Sequence, residues 1–326
     1  MKSSMWALRL TGPSQLAMDE APAPTAAELR PGEVMIRSLA GGVCGSDLPF
    51  FQGRPFGAPL PGGPHAPGFS LHEVAGEVLA SADDSIEVGE HVVGWATAND
   101  GLAEFVVSRG SSLHSYSKQL KASTAIMIQP LACVIHAVNQ IGDVAGRSSA
   151  VLGLGPIGVL FAHVLKSRGA ASVVGVDRVN RSDVGPSFGI DEVVHAHTAN
   201  WALELRANEQ ADIVVEAIGH QVETMTSAMQ AVAEEGRVFY FGIPNDEVYP
   251  LPINLLLRKN ATLKAGYTPE KVRRHVLADA EDYLAGFPEI ADAYLTSPYS
   301  YASAEEAFIA ATRPASGQMK VTFGLD

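Results

Sequence analysis

The amino-acid sequence predicts an α/β protein in which a doubly wound parallel sheet follows a smaller, partly open β barrel. Three observations lead there. A glycine-rich turn at 153–158 stands between a short apolar run and a helical segment. A second apolar run comes after it and ends in an acid. The first 120 or so residues carry closely spaced β-type runs punctuated by Gly and Pro.

In the first region the strand signals fall at Trp6–Leu10, Glu33–Ser38, Glu73–Ala80, His91–Trp95 and Glu104–Ser108, with turns such as Arg30-Pro31-Gly32-Glu33 between them. Pro55–Pro67 reads as a loop over a site. Two stretches carry chemistry: Gly42-Val43-Cys44-Gly45-Ser46-Asp47, and His72-Glu73 with Val74-Ala75-Gly76-Glu77-Val78 after it. Taken alone, Cys44 reads as a small buried residue and His72-Glu73 as a surface pair at a strand start. Thiolate, imidazole and carboxylate are also the ligand types of a catalytic zinc with one open position. Spacing alone does not bring them together.

Residues 123–138 are apolar and read as helical on both sides of Pro130. The turn Gly153-Leu154-Gly155-Pro156-Ile157-Gly158 then fits G-x-G-x-x-G, with a strand before it and a helix after it that stops near Gly169. The run Ser172–Val176 leads into Asp177, 19 residues past Gly158. Gly153 permits the tight turn, Gly155 admits a pyrophosphate, and Gly158 lets helix and strand pack closely; the helix N-terminus, starting at Pro156 and Ile157, offers free N–H groups. Asp177 would accept from ribose hydroxyls and repel a 2′-phosphate. These parts in this order predict a Rossmann unit. Arg178 and Arg181 hint at NADP, but the acid favours NAD. Further strands are expected at Glu192–His195, Asp212–Glu216 and Gly236–Gly242, a helix at Met225–Ala233, and an outer strand within Ile253–Gly266. Lys271–Leu284 and Tyr299–Ala311 read as helices, and Gln318–Phe323 as a closing strand.

Composition bounds the function. The chain has 326 residues, 47% of them hydrophobic, enough for two cores. A net charge of −13 without a basic stripe argues against a nucleic-acid partner. No apolar run reads as long enough for a bilayer span, so no membrane role is expected, and two cysteines make no disulfide framework; the plain reading is cytoplasmic.

G-V-C-G-S-D, then H-E-x-x-G-x-V, then G-L-G-P-I-G closely resembles the zinc-dependent medium-chain dehydrogenase/reductase family, in its sorbitol, threonine and glucose dehydrogenase branch. The resemblance implies a GroES-like catalytic domain (1–122), a Rossmann NAD-binding domain (123–267) and a return to the catalytic domain (268–326). It places Cys44, His72 and Glu73 on zinc-site positions, Ser46 on the hydroxyl that begins a proton relay, and Asp47 on an acid that orients a ligand. Glu216, Ala217 and Gly219 fall beside the nicotinamide half of the cofactor. The implied cofactors are one catalytic Zn2+ per subunit and NAD in preference to NADP. The implied assembly is a homodimer or homotetramer, paired through an outer strand.

Three departures stand out. Pro49 replaces a relay histidine, the stretch Gly94–Glu104 lacks the four cysteines of a structural zinc, and Gln129 replaces a glutamate at the fourth metal position. The amide of Gln129 could bind zinc or hold its water. Cys133 and His136 read as packed side chains, and Lys320 resembles a basic residue near the family's C-terminus without assigned chemistry. Trp95, Phe50, Phe51 and Phe56 are candidate pocket aromatics as well as candidate core residues. The expected reaction is hydride transfer between NAD and a secondary alcohol or ketone of a polyol, sugar or cyclitol. The rivals are a zinc-free NAD(P)H reductase of quinones or activated alkenes, and a non-catalytic dinucleotide sensor.

Overall fold

The structure is a computed structural model that describes residues 2–54, 63, 66–296 and 298–324. Most of the Pro55–Pro67 loop, Phe56 included, lies outside the described residues. The chain forms two compact units. The first is Met1–Ala132, Pro269–Arg313 and Lys320–Asp326; the second is Cys133–Thr268 and Pro314–Met319. The sequence placed the first division at 122/123 and kept the tail in one piece; the units instead divide at 132/133, and a short tail segment groups with the second.

The first unit opens with an antiparallel hairpin of β1 (Ser4–Gly12) and β2 (Gln15–Pro22). Then come β3 (Glu33–Gly42), the short helix α1 (Leu48–Phe51), β4 (Glu73–Ser81), β5 (His91–Trp95), β6 (Phe105–Arg109) and β7 (Leu113–Ser115). Alternation in β3 and β4 turns Val34, Ile36, Val74 and Val78 inward to meet Val92, Val106 and Leu113 in one buried cluster.

Helix α2 (Ala122–Ala125) and helix α3 (Ile128–Ile141) form the join, and the boundary between the units falls inside α3. Pro130 does not break the helix, because it lies in the first turn of α3, where its missing N–H goes unused. The stretch Ala122–Ile141 is in fact long and apolar enough to span a bilayer, contrary to the sequence reading, but two-thirds of it is buried inside the protein. That burial is what a core helix requires.

The second unit alternates strand and helix: β8 (Ser148–Leu152), α4 (Pro156–Ser167), β9 (Ser172–Asp177), β10 (Glu192–His195), α5 (Thr198–Glu204), β11 (Ala211–Glu216), α6 (Thr224–Ala231), β12 (Val232–Tyr240), α7 (Ile253–Arg258) and β13 (Thr262–Ala265). Its six strands are parallel, in the order β10-β9-β8-β11-β12-β13. The order reverses between β8 and β11, which puts a ligand crevice beyond the carboxyl ends of those two strands. One element differs from expectation: the helix predicted to reach Ala233 stops at Ala231, where the chain turns into β12. The outer strand expected within 253–266 is β13; the earlier part of that stretch is helix α7, and Asn260, with φ +47°, turns the chain between them. Val248, in the segment before α7, and Ile253 and Leu257, on α7, are 82%, 63% and 74% exposed.

The return supplies α8 (Glu270–Gly286), α9 (Ile290–Tyr294), α10 (Ala304–Ala311) and β14 (Thr322–Gly324). Helix α8 is tied to the barrel by Arg109 to Glu270 (2.9 Å), Arg274 to Asp83 (3.1 Å) and His114 to Glu281 (2.8 Å). The antiparallel sheet runs β14-β3-β4-β5-β7, with β6 also on β3. Its register aligns Thr322, Gly42, Glu73 and Trp95 across four strands.

Gly158 is sterically obligatory, since a Cβ there would fall on the carbonyl oxygen of Gly153. Gly158→Ala should destabilise the second unit by about 1–3 kcal/mol through overpacking, read by denaturant unfolding. Parent-like stability would mean that turn and helix can separate at no cost.

Candidate functional site

The metal-type cluster is built at the ends of β3 and β4. Cys44 lies two residues past β3 and opens a tight turn closed by the Asp47 amide on the Cys44 carbonyl (3.0 Å). His72 immediately precedes β4, and Glu73 is its first residue. The thiol of Cys44, the ring of His72 and the carboxylate of Glu73 present ligand atoms within 4.8 Å of one another. Among the described residues no other His, Cys, Asp and Glu side chains group in this way. Cys133 and His136, both on α3, are not members of the group.

Asp47 locks the first two members together. Its Oδ2 accepts the Cys44 amide (2.8 Å) and its Oδ1 faces His72 Nδ1 (2.9 Å). A carboxylate on Nδ1 fixes the ring and leaves Nε2 for a metal. Asp47 is only 1% exposed, so its charge acts with little screening. Burial opposes a charged His72 ring. The Asp47 charge and hydrogen bond, with smaller help from Cys44, outweigh it and hold the histidine well above its ordinary range.

Glu73 has a second partner that sequence reasoning left idle. Lys320 Nζ lies 2.6 Å from both carboxylate oxygens, and both residues are buried. Gly42 makes the room: a Cβ there would fall on Glu73 Oε2 and lie 3.1 Å from Lys320 Cε. Burial pushes the Glu73 carboxyl up, while the charges of Lys320 and His72 pull it down; burial prevails. A lone lysine between Met319 and Val321 in a predicted strand was the only sequence signal. Gln129 is buried as the second residue of α3, in the same unit. Ser46 is half-buried in the Cys44–Asp47 turn. Sulfur, imidazole nitrogen and carboxylate oxygen at this spacing fit one zinc ion.

The aromatic candidates sort by packing. Phe51 is 1% exposed in a core cluster with Phe69, Tyr301 and Phe308. Trp95 is 7% exposed and covered by the Arg273 guanidinium at 4.7 Å. Phe50 is half-buried against Phe69 (5.2 Å between ring centres).

In the second unit the glycine turn takes the form a dinucleotide needs. Gly153 has φ +91°, and its missing Cβ leaves room for Ile218. A Cβ at Gly155 would meet nothing within 4 Å, so its openness answers no packing demand of the described chain. Pro156 opens α4, Ile157 comes next, and no side chain caps that helix. Asp177 ends β9; its Oδ2 accepts the Leu154 amide (2.6 Å) and its Oδ1 the Val179 amide (2.7 Å). Arg178 is exposed next to it. Arg181, read as a second phosphate candidate, is 2% exposed and bound to backbone carbonyls of the tail segment instead. Beyond β11, Ala217 donates its N–H to the Leu152 carbonyl (2.9 Å) and Gly219 donates to Glu216 Oε1 (2.9 Å). Gly219 and Gly242 lie back to back, with no room for a side chain at either. A cradle lined by glycine, an open helix start and a strand-end acid fits a dinucleotide.

Asp47→Asn should weaken zinc binding about 10–100-fold, measured by chelator competition. In the parent the metal displaces a proton from His72. Because that ring titrates above its ordinary range, zinc affinity should fall as pH drops below that raised value, and less steeply in the variant. Identical pH profiles would deny Asp47 this role.

Comparison with known proteins finds two family matches along the chain. The alcohol dehydrogenase GroES-like domain matches residues 30–117, and the zinc-binding dehydrogenase family matches residues 156–280. D-altritol 5-dehydrogenase of Agrobacterium fabrum is 29% identical over 268 residues, which cover 72% of this chain and 76% of that protein. Sorbitol dehydrogenase of Halalkalibacterium halodurans is 29% identical over 246 residues, covering 64% and 68%. The crystal structure of L-idonate 5-dehydrogenase from Escherichia coli matches with a TM-score of 0.81 over 100% of this chain and 99% of that one, at 21% identity; that likeness carries the fold.

Proposed function

Because this chain belongs to the zinc-type medium-chain alcohol dehydrogenase family, we propose that it exchanges a hydride between NAD and the secondary alcohol or ketone of a polyol, sugar or cyclitol. The observation that carries this reading is the meeting of Cys44, His72 and Glu73 within 4.8 Å. The names of the relatives, altritol and sorbitol dehydrogenases, support the substrate class. A zinc-free quinone or alkene reductase and a non-catalytic sensor are not favoured, since neither has a use for that cluster.

In this reading Cys44, His72 and Glu73 hold one zinc per subunit, with Gln129 at the fourth position, and there is no structural zinc. Bound there, zinc supplies Lewis acidity at the alcohol oxygen and NAD accepts the hydride. Asp47 keeps His72 in the metal-binding tautomer. Ser46 Oγ takes the alcohol proton outward, and with proline at 49 that proton passes to solvent. Gly153, Gly155, Pro156, Ile157 and Gly158 receive the pyrophosphate, Asp177 the ribose hydroxyls, and Ala217 and Gly219 the nicotinamide half. Among the described residues β13 is an outer strand of its sheet, and this with the exposed Val248, Ile253 and Leu257 supports pairing of two subunits through it. A cytoplasmic location is part of the reading, supported by a cysteine content too low for a disulfide framework.

Elemental mass spectrometry on protein purified without chelator should find about one zinc per chain and almost none in Cys44→Ser, which should lose turnover on a polyol and sugar panel yet still bind NADH. Turnover that survives in the metal-free variant would sink the mechanism.

Cofactor choice rests on Asp177, since of the two arginine candidates Arg181 is buried and bound elsewhere and Arg178 alone is exposed. Asp177→Ser should lower KM for NADP and raise it for NAD. A parent that already prefers NADP would overturn the NAD assignment.

A further inference from the structure

The tail segment Pro314–Met319 belongs to the second unit because two residues just past Asp177 hold it. Arg181 Nη1 donates to the carbonyls of Ala315 (2.7 Å) and Gln318 (2.8 Å), and Asp183 Oδ2 accepts the Gly317 amide (2.6 Å). Burial acts to raise the Asp183 carboxyl. The Gly317 amide, the Ser316 hydroxyl and the Arg181 charge outweigh it and hold the group below its ordinary range. A buried guanidinium bound to carbonyls is an expensive way to fasten an ordinary turn.

The segment runs straight into the metal-type cluster. Directly after Met319 stands Lys320, in the first unit, with its Nζ 2.6 Å from the Glu73 carboxylate. Its backbone is clamped there, the N–H donating to the Tyr294 carbonyl (2.9 Å) and its own carbonyl accepting Thr296 Oγ1 (2.6 Å). One short run of chain is thus anchored on the loop beyond the ribose-binding acid and continues directly into the residue that holds Glu73. Glu73 can give its charge to Lys320 or to a metal, and a pull on the lysine changes the balance.

We propose that Arg181 and Asp183 are positioning residues that couple occupancy of the dinucleotide site to the placement of Glu73, through residues 314–319 and Lys320. The proposal rests on the zinc dehydrogenase reading. Because coupling between two binding sites is reciprocal, NADH must change the hold on zinc if zinc changes the hold on NADH.

The test is the rate at which holoenzyme gives up zinc to a chelator, with and without saturating NADH, while NADH binding is monitored by its own fluorescence. In the parent, NADH should change the rate by about fivefold or more, the lower end of ordinary coupling. In Arg181→Gln and Asp183→Asn, zinc should still load and NADH still bind, but the ratio of the two rates should move towards one. Arg181→Lys should recover part of it. A merely structural tie would alter stability and leave the ratio alone, so an unchanged ratio in both variants overturns the coupling. A parent ratio of one overturns it too, as does failure of all three variants to fold, which would make the tie structural. A parent that binds no zinc or no NADH defeats the dehydrogenase reading itself, and that outcome is visible before any variant is made.

Discussion

Asp47 is the constraint on which the candidate metal site depends. Its two oxygens reach an amide in one loop and an imidazole just ahead of a different strand, 25 residues further along the chain. Without that bridge Cys44 would sit on an independent turn, and His72 would be free to rotate. The bridge works because it is buried, where a charge-assisted hydrogen bond is little screened. It also explains why the metal-free ring prefers to carry a proton: the carboxylate that would orient it towards a cation stabilises its own cationic form.

Around this bridge the sheet register does the rest of the positioning. Gly42 aligns with Glu73 on one side and Thr322 on the other. Its missing side chain is the space in which the Glu73 carboxylate and the Lys320 stem meet. Two buried opposite charges at 2.6 Å are costly to desolvate and costly to separate. The pair therefore specifies an arrangement more than it adds stability. In the second unit glycine plays the same part, with Gly153 and Gly219 giving up side chains so that neighbouring strand ends can close on one crevice.

Much of this was legible along the chain. The strands at His91–Trp95 and Glu192–His195 have the bounds their patterns predict, and each is built round a pair of β-branched valines. The G-x-G-x-x-G turn was equally plain, since Gly153 and Gly158 answer local steric needs and Gly155 leaves the turn open between them. Less legible was the stretch 253–266, where leucines suit a helix and a strand alike and where only Asn260 marks the turn between them. Helix α8 was predicted, but not its role in covering Trp95 with Arg273, which joins residues far apart in sequence.

By itself the sequence determined the alternation of strand and helix, the glycine turn with its terminal acid, and the presence of a thiol, an imidazole and carboxylates in motifs of one family. These are local facts, set by periodicity, backbone freedom and side-chain chemistry. Tertiary structure alone decided that Asp47 reaches His72, that Lys320 rests on Glu73, and that Arg181 holds the tail instead of waiting for a phosphate. Each of those is a contact between residues that lie far apart in sequence, made where burial leaves a polar group no water and obliges it to find a partner in the fold.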